Sequence, residues 1–178
     1  MPSLIIREAG LAEIDARAGE LSSLLIDVVD SGGAVGFMAP LREPEAREYW
    51  REVSEAQSRI VLVALLDREI VGSVQLDLCD RPNSRHRAEI LKLIVHGKAR
   101  RQGIGRALMT AAERTALAQE RTLLVLDTRS GDHGEALYRS LGYREAGVIP
   151  RYARNSDGSG FHATVIFYKD LLSAPKQA

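Results

Sequence analysis

The sequence predicts an α/β fold: one mixed, mostly antiparallel twisted sheet flanked by helices, in a single domain. Two apolar runs, 59–66 and 70–79, are separated only by Asp67-Arg68-Glu69, the spacing of a hairpin. A strand, a basic glycine-bearing turn and a helix then follow one another through 88–119, and a second strand and helix occupy 123–141, the order of strand–helix–strand units. The chain has 178 residues, and no internal repeat, low-complexity tract or linker interrupts it. One domain over residues 1–172 with a tail over 173–178 is therefore expected.

Each element has its own warrant. Residues 3–8 form a short apolar strand. From Leu11 to Val29 the apolar positions Leu11, Ile14, Ala18, Leu21, Leu25 and Val28 recur at helical spacing, and Asp30-Ser31-Gly32-Gly33 stops the run. The apolar stretch 34–40 is expected to fold back over the domain. Residues 44–57 read as a second helix, with Pro44 in its first turn and Trp50 and Val53 on one face. In the run 70–79, Val74, Leu76 and Leu78 alternate with Ser73, Gln75 and Asp77, so one face is less buried. The polar segment 80–87 carries Pro82-Asn83, a loop signal, before a strand at 88–95. A helix at 104–119, a short strand at 123–127, a helix from Gly134 to Leu141 and strands at 143–148 and 161–169 complete the order β-α-α-β-β-β-α-β-α-β-β. Pro150 to Gly160 read as a polar loop.

Composition narrows the function classes. Lys plus Arg number 24 and Asp plus Glu number 24, so no net field draws the chain to nucleic acid or an anionic membrane. The lone cysteine, Cys79, excludes an intramolecular disulfide framework and a cysteine-rich zinc site. No apolar run approaches the ~20 residues that span a bilayer, and Met-Pro-Ser-Leu-Ile-Ile-Arg lacks the pattern of a secretory signal. The expectation is a cytoplasmic protein with no nucleic-acid or membrane partner.

The chemistry concentrates in Leu93-Ile94-Val95-His96-Gly97-Lys98-Ala99-Arg100-Arg101-Gln102-Gly103-Ile104-Gly105-Arg106. Glycines let a backbone approach a ligand closely. The free N–H groups and positive dipole end of the following helix favour phosphate. Lys98, Arg100, Arg101 and Arg106 add local positive charge, so the segment has the physical properties of a pyrophosphate site. It lacks the Gly-Lys-Ser/Thr of a P-loop and the third glycine of a dinucleotide fingerprint.

Arg100-x-x-Gly103-x-Gly105 resembles the acetyl-CoA signature of the GNAT N-acetyltransferase superfamily. The later Leu137-Tyr138-Arg139-Ser140-Leu141-Gly142-Tyr143 resembles that family's second strand–helix element. Further segments are similar to the tabtoxin-resistance acetyltransferases within it: 31–39, Leu78-Cys79 with Pro82-Asn83, Arg87-Ala88-Glu89-Ile90 with Lys92-Leu93, and Leu126-Asp127-Thr128. So is the ending Pro150-x-Tyr152, Asp157-Gly158 and Thr164-x-Ile166-x-Tyr168-Lys169. The resemblance implies acetyl-CoA as co-substrate, no metal, and direct transfer of an acetyl group to a primary amine of a small amino-acid-like molecule, of the toxin or antibiotic type. A peptide or protein acetyltransferase and a silent acyl-CoA-binding sensor are the alternatives. Such proteins often pair through exposed strands or the C-terminal segment, so a homodimer is an open expectation.

The resemblance also implies roles. The backbone of Leu93, Ile94 and Val95 would hold the pantetheine arm, with the Val95 N–H facing the thioester carbonyl. The turn Arg100, Arg101, Gln102, Gly103, Ile104, Gly105 and Arg106 would hold the pyrophosphate. An alkyl ammonium has a pKa of ~10.4 and must lose a proton before attack, for which a carboxylate is a suitable acceptor. Glu89 and Asp127 open and close the two strands that diverge in the family fold. For Glu89 the alternative is an ion pair with Arg87 or Lys92, and for Asp127 a cap on the next helix. Tyr138 matches the residue whose hydroxyl faces the thioester sulfur and would give the leaving thiolate a proton, or at least a hydrogen bond, the alternative being a packed tyrosine. Gly32, Gly33, Phe37 and Met38 are expected to wall the acceptor pocket. Many relatives carry Asn where Gly131 stands here, which puts that pantetheine contact in doubt. His86, His96, His133 and His162 lack metal-binding spacing, and Tyr152 and Tyr168 are pocket or interface candidates.

Overall fold

A computed structural model describes residues 3–173; the expected tail beyond 173 lies outside the described residues. The chain runs β1 (Leu4–Ala9), α1 (Leu11–Ala16), α2 (Ala18–Asp30), α3 (Glu43–Glu55), β2 (Arg59–Leu66), β3 (Glu69–Leu78) and β4 (Arg87–Val95). A 3-10 turn (Gly97–Ala99), α4 (Ile104–Ala118), β5 (Leu123–Arg129), α5 (His133–Ser140), β6 (Arg144–Arg154) and β7 (Phe161–Asp170) follow. The seven strands form one sheet in the order β1-β2-β3-β4-β5-β7-β6. All neighbours are antiparallel except β4 and β5.

Alternation along the strands sorts the side chains into two cores, one on each face. On one face Leu62, Val74, Leu76, Ala88, Ile90, Leu124, Leu126 and Phe167 pack with Leu108 and Met109 of α4 and Tyr138 of α5. On the other, Val61, Val63 and Ile94 pack with Leu21, Leu25 and Trp50 of the first three helices.

The helix expected over 11–29 is two helices. Arg17 leaves the helical region with φ −108° and ψ 18°, and its guanidinium turns to Glu20 and the Arg68 carbonyl. The second helix stops as expected: Gly32 takes φ +89°, and the Gly33 N–H donates to the Val28 carbonyl at 2.8 Å, the wiring of a left-handed C-terminal turn. The loop expected at Pro150–Gly160 begins only after Arg154, because β6 continues through Pro150. The pairing with β7 shifts register between Ile149 and Ala153, with Arg151 at φ +53°. A proline without an N–H is accommodated in an irregular stretch of an edge strand.

Two irregularities shape the site. The pairing of β3 with β4 shifts between Ser73 and Gln75, where Lys92 adopts φ +49°, a bulge that places one extra residue on β4. The parallel pairing of β4 with β5 covers only Arg87–Leu123, Ala88–Leu124 and Glu89–Val125, after which the strands part.

Candidate active site

The parted strands open a cavity of about 880 Å³. At one end lies the turn before α4. Gly103 caps this helix at φ +79°, and a Cβ there would meet nothing within 4 Å, so the position is open towards a ligand. The first hydrogen bond of α4 runs from the Ala107 N–H to the Gly103 carbonyl at 3.0 Å. The N–H groups of Gly103 to Arg106 are left without an intrahelical partner, as at any helix start. The adjoining turn is braced: the Gly97 N–H donates to Asp27 Oδ2 of α2 at 2.7 Å, and His96 Nδ1 lies 3.4 Å from the same carboxylate.

The arginines of this turn differ in use. Arg100 donates to the Val95 carbonyl at 3.1 Å and to Ser31 Oγ at 3.0 Å, tying the turn to β4 and to the end of α2. Arg106 donates to Ser140 Oγ at 2.7 Å, joining α4 to α5, and Gln102 donates to the Lys98 carbonyl. Arg101 is exposed, at φ +64°, and lines the cavity. Gly105 sits where α4 meets α5, a Cβ there falling 3.4 Å from Leu137 Cδ2.

The wall between the two ends is β4. The His96 N–H bonds the Val71 carbonyl on β3, whereas the Val95 carbonyl is taken from the open side by Arg100. By strand alternation the peptide groups of Val95 and Leu93 face the gap, and those of Ile94 face Ser73 of β3. Ile94 lines the cavity, and it pairs in register with Ser73 of β3.

At the other end stand the candidate acid–base groups. Asp127 is exposed to the cavity, and its Oδ2 accepts from Thr164 Oγ1 at 2.8 Å. It does not cap α5, whose N-cap is Asp132, paired with Arg129 at 2.9 Å. Glu89 pairs in register with Val125, which puts it on the same sheet face as Asp127, two residues further along β5. It does not line the cavity itself. Among the described residues Glu89 forms no ion pair; Arg87 turns to Cys79 Sγ instead. Partial desolvation, then the negative charges of Asp127 and Asp77, raise the Glu89 carboxyl above its ordinary value.

Tyr138 is buried, its ring edge-on to Tyr143 at 5.9 Å and tilted against Phe167 at 6.0 Å, yet it lines the cavity. Burial, then the charges of Asp127 and Asp132, push its hydroxyl pKa upward. Gly134 makes room for it, since a Cβ there would lie 3.2 Å from Tyr138 Cε2 and 3.0 Å from Thr128 Oγ1.

The segment 31–40 roofs this end. Gly32, Gly33, Phe37 and Met38 all line the cavity, and the Ala39 N–H donates to the Ser156 carbonyl at 2.8 Å, joining the roof to the loop after β6. Tyr152 lines the cavity as well, whereas Tyr168 does not. Gly131, at φ +83°, gives its N–H to Glu135 Oε1 at 2.6 Å, so neither Glu135 nor the paired Asp132 stands in for an asparagine there. Among the described residues no cluster of three or more His, Cys, Asp or Glu is arranged to hold a metal. The sequence offers Lys92 and Thr164 only within family-like segments and Gly134 only as a helix start, and it gives none of them a place in the site; a single lysine inside the apolar run 88–95 is the available signal for Lys92.

The model of the acetyltransferase (GNAT) family matches residues 29–143, which hold the turn, the parted strands and Tyr138. The chain belongs to this family. This GNAT chain is 36% identical over 105 residues, 58% of its length, to a protein of Azospirillum brasilense named an uncharacterized N-acetyltransferase in the hisH-hisA intergenic region. The match takes in 62% of that relative's length. The fold is shared with an N-acetyltransferase from Staphylococcus aureus Mu50 (TM-score 0.79, 18% identity, 95% of this chain and 99% of the other). It is shared too with yncA from Salmonella typhimurium, solved with its cofactor acetyl-CoA (TM-score 0.77, 16% identity, 99% and 98%).

Proposed function

We propose that this GNAT enzyme transfers an acetyl group from acetyl-CoA directly to the primary amine of a small amino-acid-like molecule. The observation that carries the reading is one continuous cavity where β4 and β5 part, with free amides at the turn before α4 and Asp127 with Tyr138 at the far end. Acetyl-CoA fits these residues: the left-handed Gly103 leaves an open cradle for a pyrophosphate, and the unpaired edge of β4 offers the peptide groups of Leu93 and the N–H of Val95, whose carbonyl Arg100 holds, to an amide-bearing arm. When bound, it supplies the acetyl group as an activated thioester.

The chain's own groups account for the rest. Glu89 and Asp127 attract an ammonium and one of them accepts its proton; partial desolvation, then its carboxylate neighbours, make the Glu89 carboxyl more basic than usual. The Val95 N–H is a hydrogen-bond donor for developing oxygen charge. Tyr138, whose pKa is raised, keeps its proton at neutral pH and acts as a hydrogen-bond donor into the cavity. As a weaker acid than a thiol (~8.5), it steadies negative charge on a sulfur rather than surrendering its proton.

The roof fastened by Ala39 and Ser156 supports a compact acceptor over a peptide laid in an open groove. The tabtoxin-like segments support a toxin or antibiotic as that acceptor, and the lone cysteine suits a cytoplasmic setting. The test is thiol release from acetyl-CoA against amines, amino acids, peptides and amino-acid-like antibiotics, including a tabtoxinine-type β-lactam. Turnover with a compact amine is expected. Turnover with peptides alone, or acetyl-CoA binding without turnover on any amine, would overturn the reading.

A further inference from the structure

Resting on that reading, we infer that Lys92 forms a carboxylate-binding subsite in the acceptor pocket, so that the acceptor carries a carboxylate beside its amine. The β4 bulge turns Lys92 towards the face that holds α3 and the roof. Its Nζ lies 5.7 Å from the centre of the Phe37 ring and 5.8 Å from that of Tyr49, and the two rings meet edge to face at 5.3 Å. The roof presses close from above, a Cβ on Gly36 falling 3.2 Å from Nζ. Lys92 lines the cavity, and among the described residues its ammonium has no hydrogen bond and no ion pair; the cavity's other cations are engaged or distant. Arg100 is bonded to Val95 and Ser31 and Arg129 to Asp132; Arg154, like Lys92, meets an aromatic ring but is exposed, and Arg101 stands at the turn before α4.

At the acceptor end the pocket therefore presents a half-buried ammonium without an ion pair and, on the same sheet face, the Asp127 carboxylate, with Glu89 behind the lining. That pattern matches a zwitterion, its ammonium towards the carboxylates and its own carboxylate towards Lys92. Burial is the first influence on Lys92 and lowers its pKa. Arg59 adds to that, while Asp127 and Glu89 oppose it. A bound carboxylate would relieve the cost of keeping the ammonium charged there. A dianionic phosphate suits the place less well, because Asp127 and Glu89 repel it and no arginine fork is present to clamp it.

The experiment measures kcat/KM at saturating acetyl-CoA for L-amino acids, their amides and their decarboxylated amines. It compares the wild-type enzyme with Lys92→Met and Lys92→Arg, and calorimetric acetyl-CoA binding reports the integrity of each variant. The wild type is expected to favour the carboxylated member of each set by at least about tenfold, a factor equal to ~1.4 kcal/mol. Lys92→Met should remove that preference, mainly through KM, and Lys92→Arg should restore part of it. A wild-type ratio near one, or an equal loss for all three series in Lys92→Met, overturns the subsite while leaving small-amine acetylation standing. Acetyl-CoA binding with no turnover in any series overturns both.

Discussion

Replacing Tyr138 by Phe removes one oxygen and keeps the ring. The ring's neighbours, Tyr143 at 5.9 Å and Phe167 at 6.0 Å, are apolar contacts that phenylalanine repeats. Tyr138 lines the cavity and its hydroxyl has no hydrogen-bond partner among the described residues, so its loss orphans no core group, and stability should stay within about 0.5 kcal/mol, or roughly 1–2 °C in Tm for a chain of this size. Turnover should respond far more. A hydrogen bond to a charged group contributes about 1.5–3 kcal/mol, and each ~1.4 kcal/mol is tenfold, so kcat should fall by about ten- to 150-fold. The KM for acetyl-CoA should hardly change, because the turn proposed to hold the pyrophosphate lies at the other end of the cavity. Thiol release under saturation, with a thermal melt of the same preparation, measures both. A kcat within about twofold of wild type, or a loss confined to the acetyl-CoA KM, would refute the assignment of Tyr138 to the leaving sulfur. Tyr138→Ala is the contrasting variant, since it empties a buried site and should cost about 3–5 kcal/mol of stability.

The Glu89 carboxyl, raised in the folded chain, binds its proton more tightly there than when unfolded. Its contribution to stability therefore declines as pH rises from the ordinary glutamate value (~4.3) through the raised one. Glu89→Gln should accordingly raise Tm at pH 7, leave it unchanged well below pH 4, and still lower the rate; melts across pH and a rate assay check all three. Asp127→Asn should slow turnover near neutrality and recover in part as pH approaches the acceptor's own pKa; a flat rate–pH profile would assign Asp127 to structure. Gly103→Ala forces a side chain to φ +79° and should cost about 1–2 kcal/mol, seen in denaturant melts. Gly105→Ala, with its Cβ at an ordinary 3.4 Å from Leu137 in a helix, should instead keep or raise stability while the acetyl-CoA KM rises.

The parts of the fold that the sequence reveals are those governed by local rules. The hairpin spacing of β2 and β3, the glycine stop after α2 and the basic turn into α4 each follow from a few adjacent residues. What escaped was set by distant contacts. Arg17 ends α1 because Glu20 and the Arg68 carbonyl draw its guanidinium, and nothing in the helical period shows that. Pro150 reads as a loop signal, yet β6 passes through it because it falls where the pairing with β7 shifts register, in a strand whose other side is the open sheet edge. Within the site, the glycine turn and the two acids are legible as residue types in a pattern. Lys92 acquires its setting only through a bulge that re-aims it beneath Phe37 and against Tyr49. Thr164 meets Asp127 only through the β5–β7 register.

The three residue pairs that join β4 to β5 also have a mechanical meaning. Strands β1 to β4 form one antiparallel ribbon and β5, β7 and β6 another, and this short seam is the whole of the ladder between them. A ligand lying along the open edge of β4 would bridge the two ribbons much as an additional strand would. Its binding then lengthens the seam, and the free energy of binding is added to the cohesion of the sheet, about 2.7 kcal/mol at a hundredfold excess over Kd. Amide hydrogens flanking the seam, in 90–95 and 126–129, should therefore gain more protection from exchange on acetyl-CoA binding than those of the fully laddered β2. In this fold occupancy of the site and integrity of the sheet would be two readings of one equilibrium.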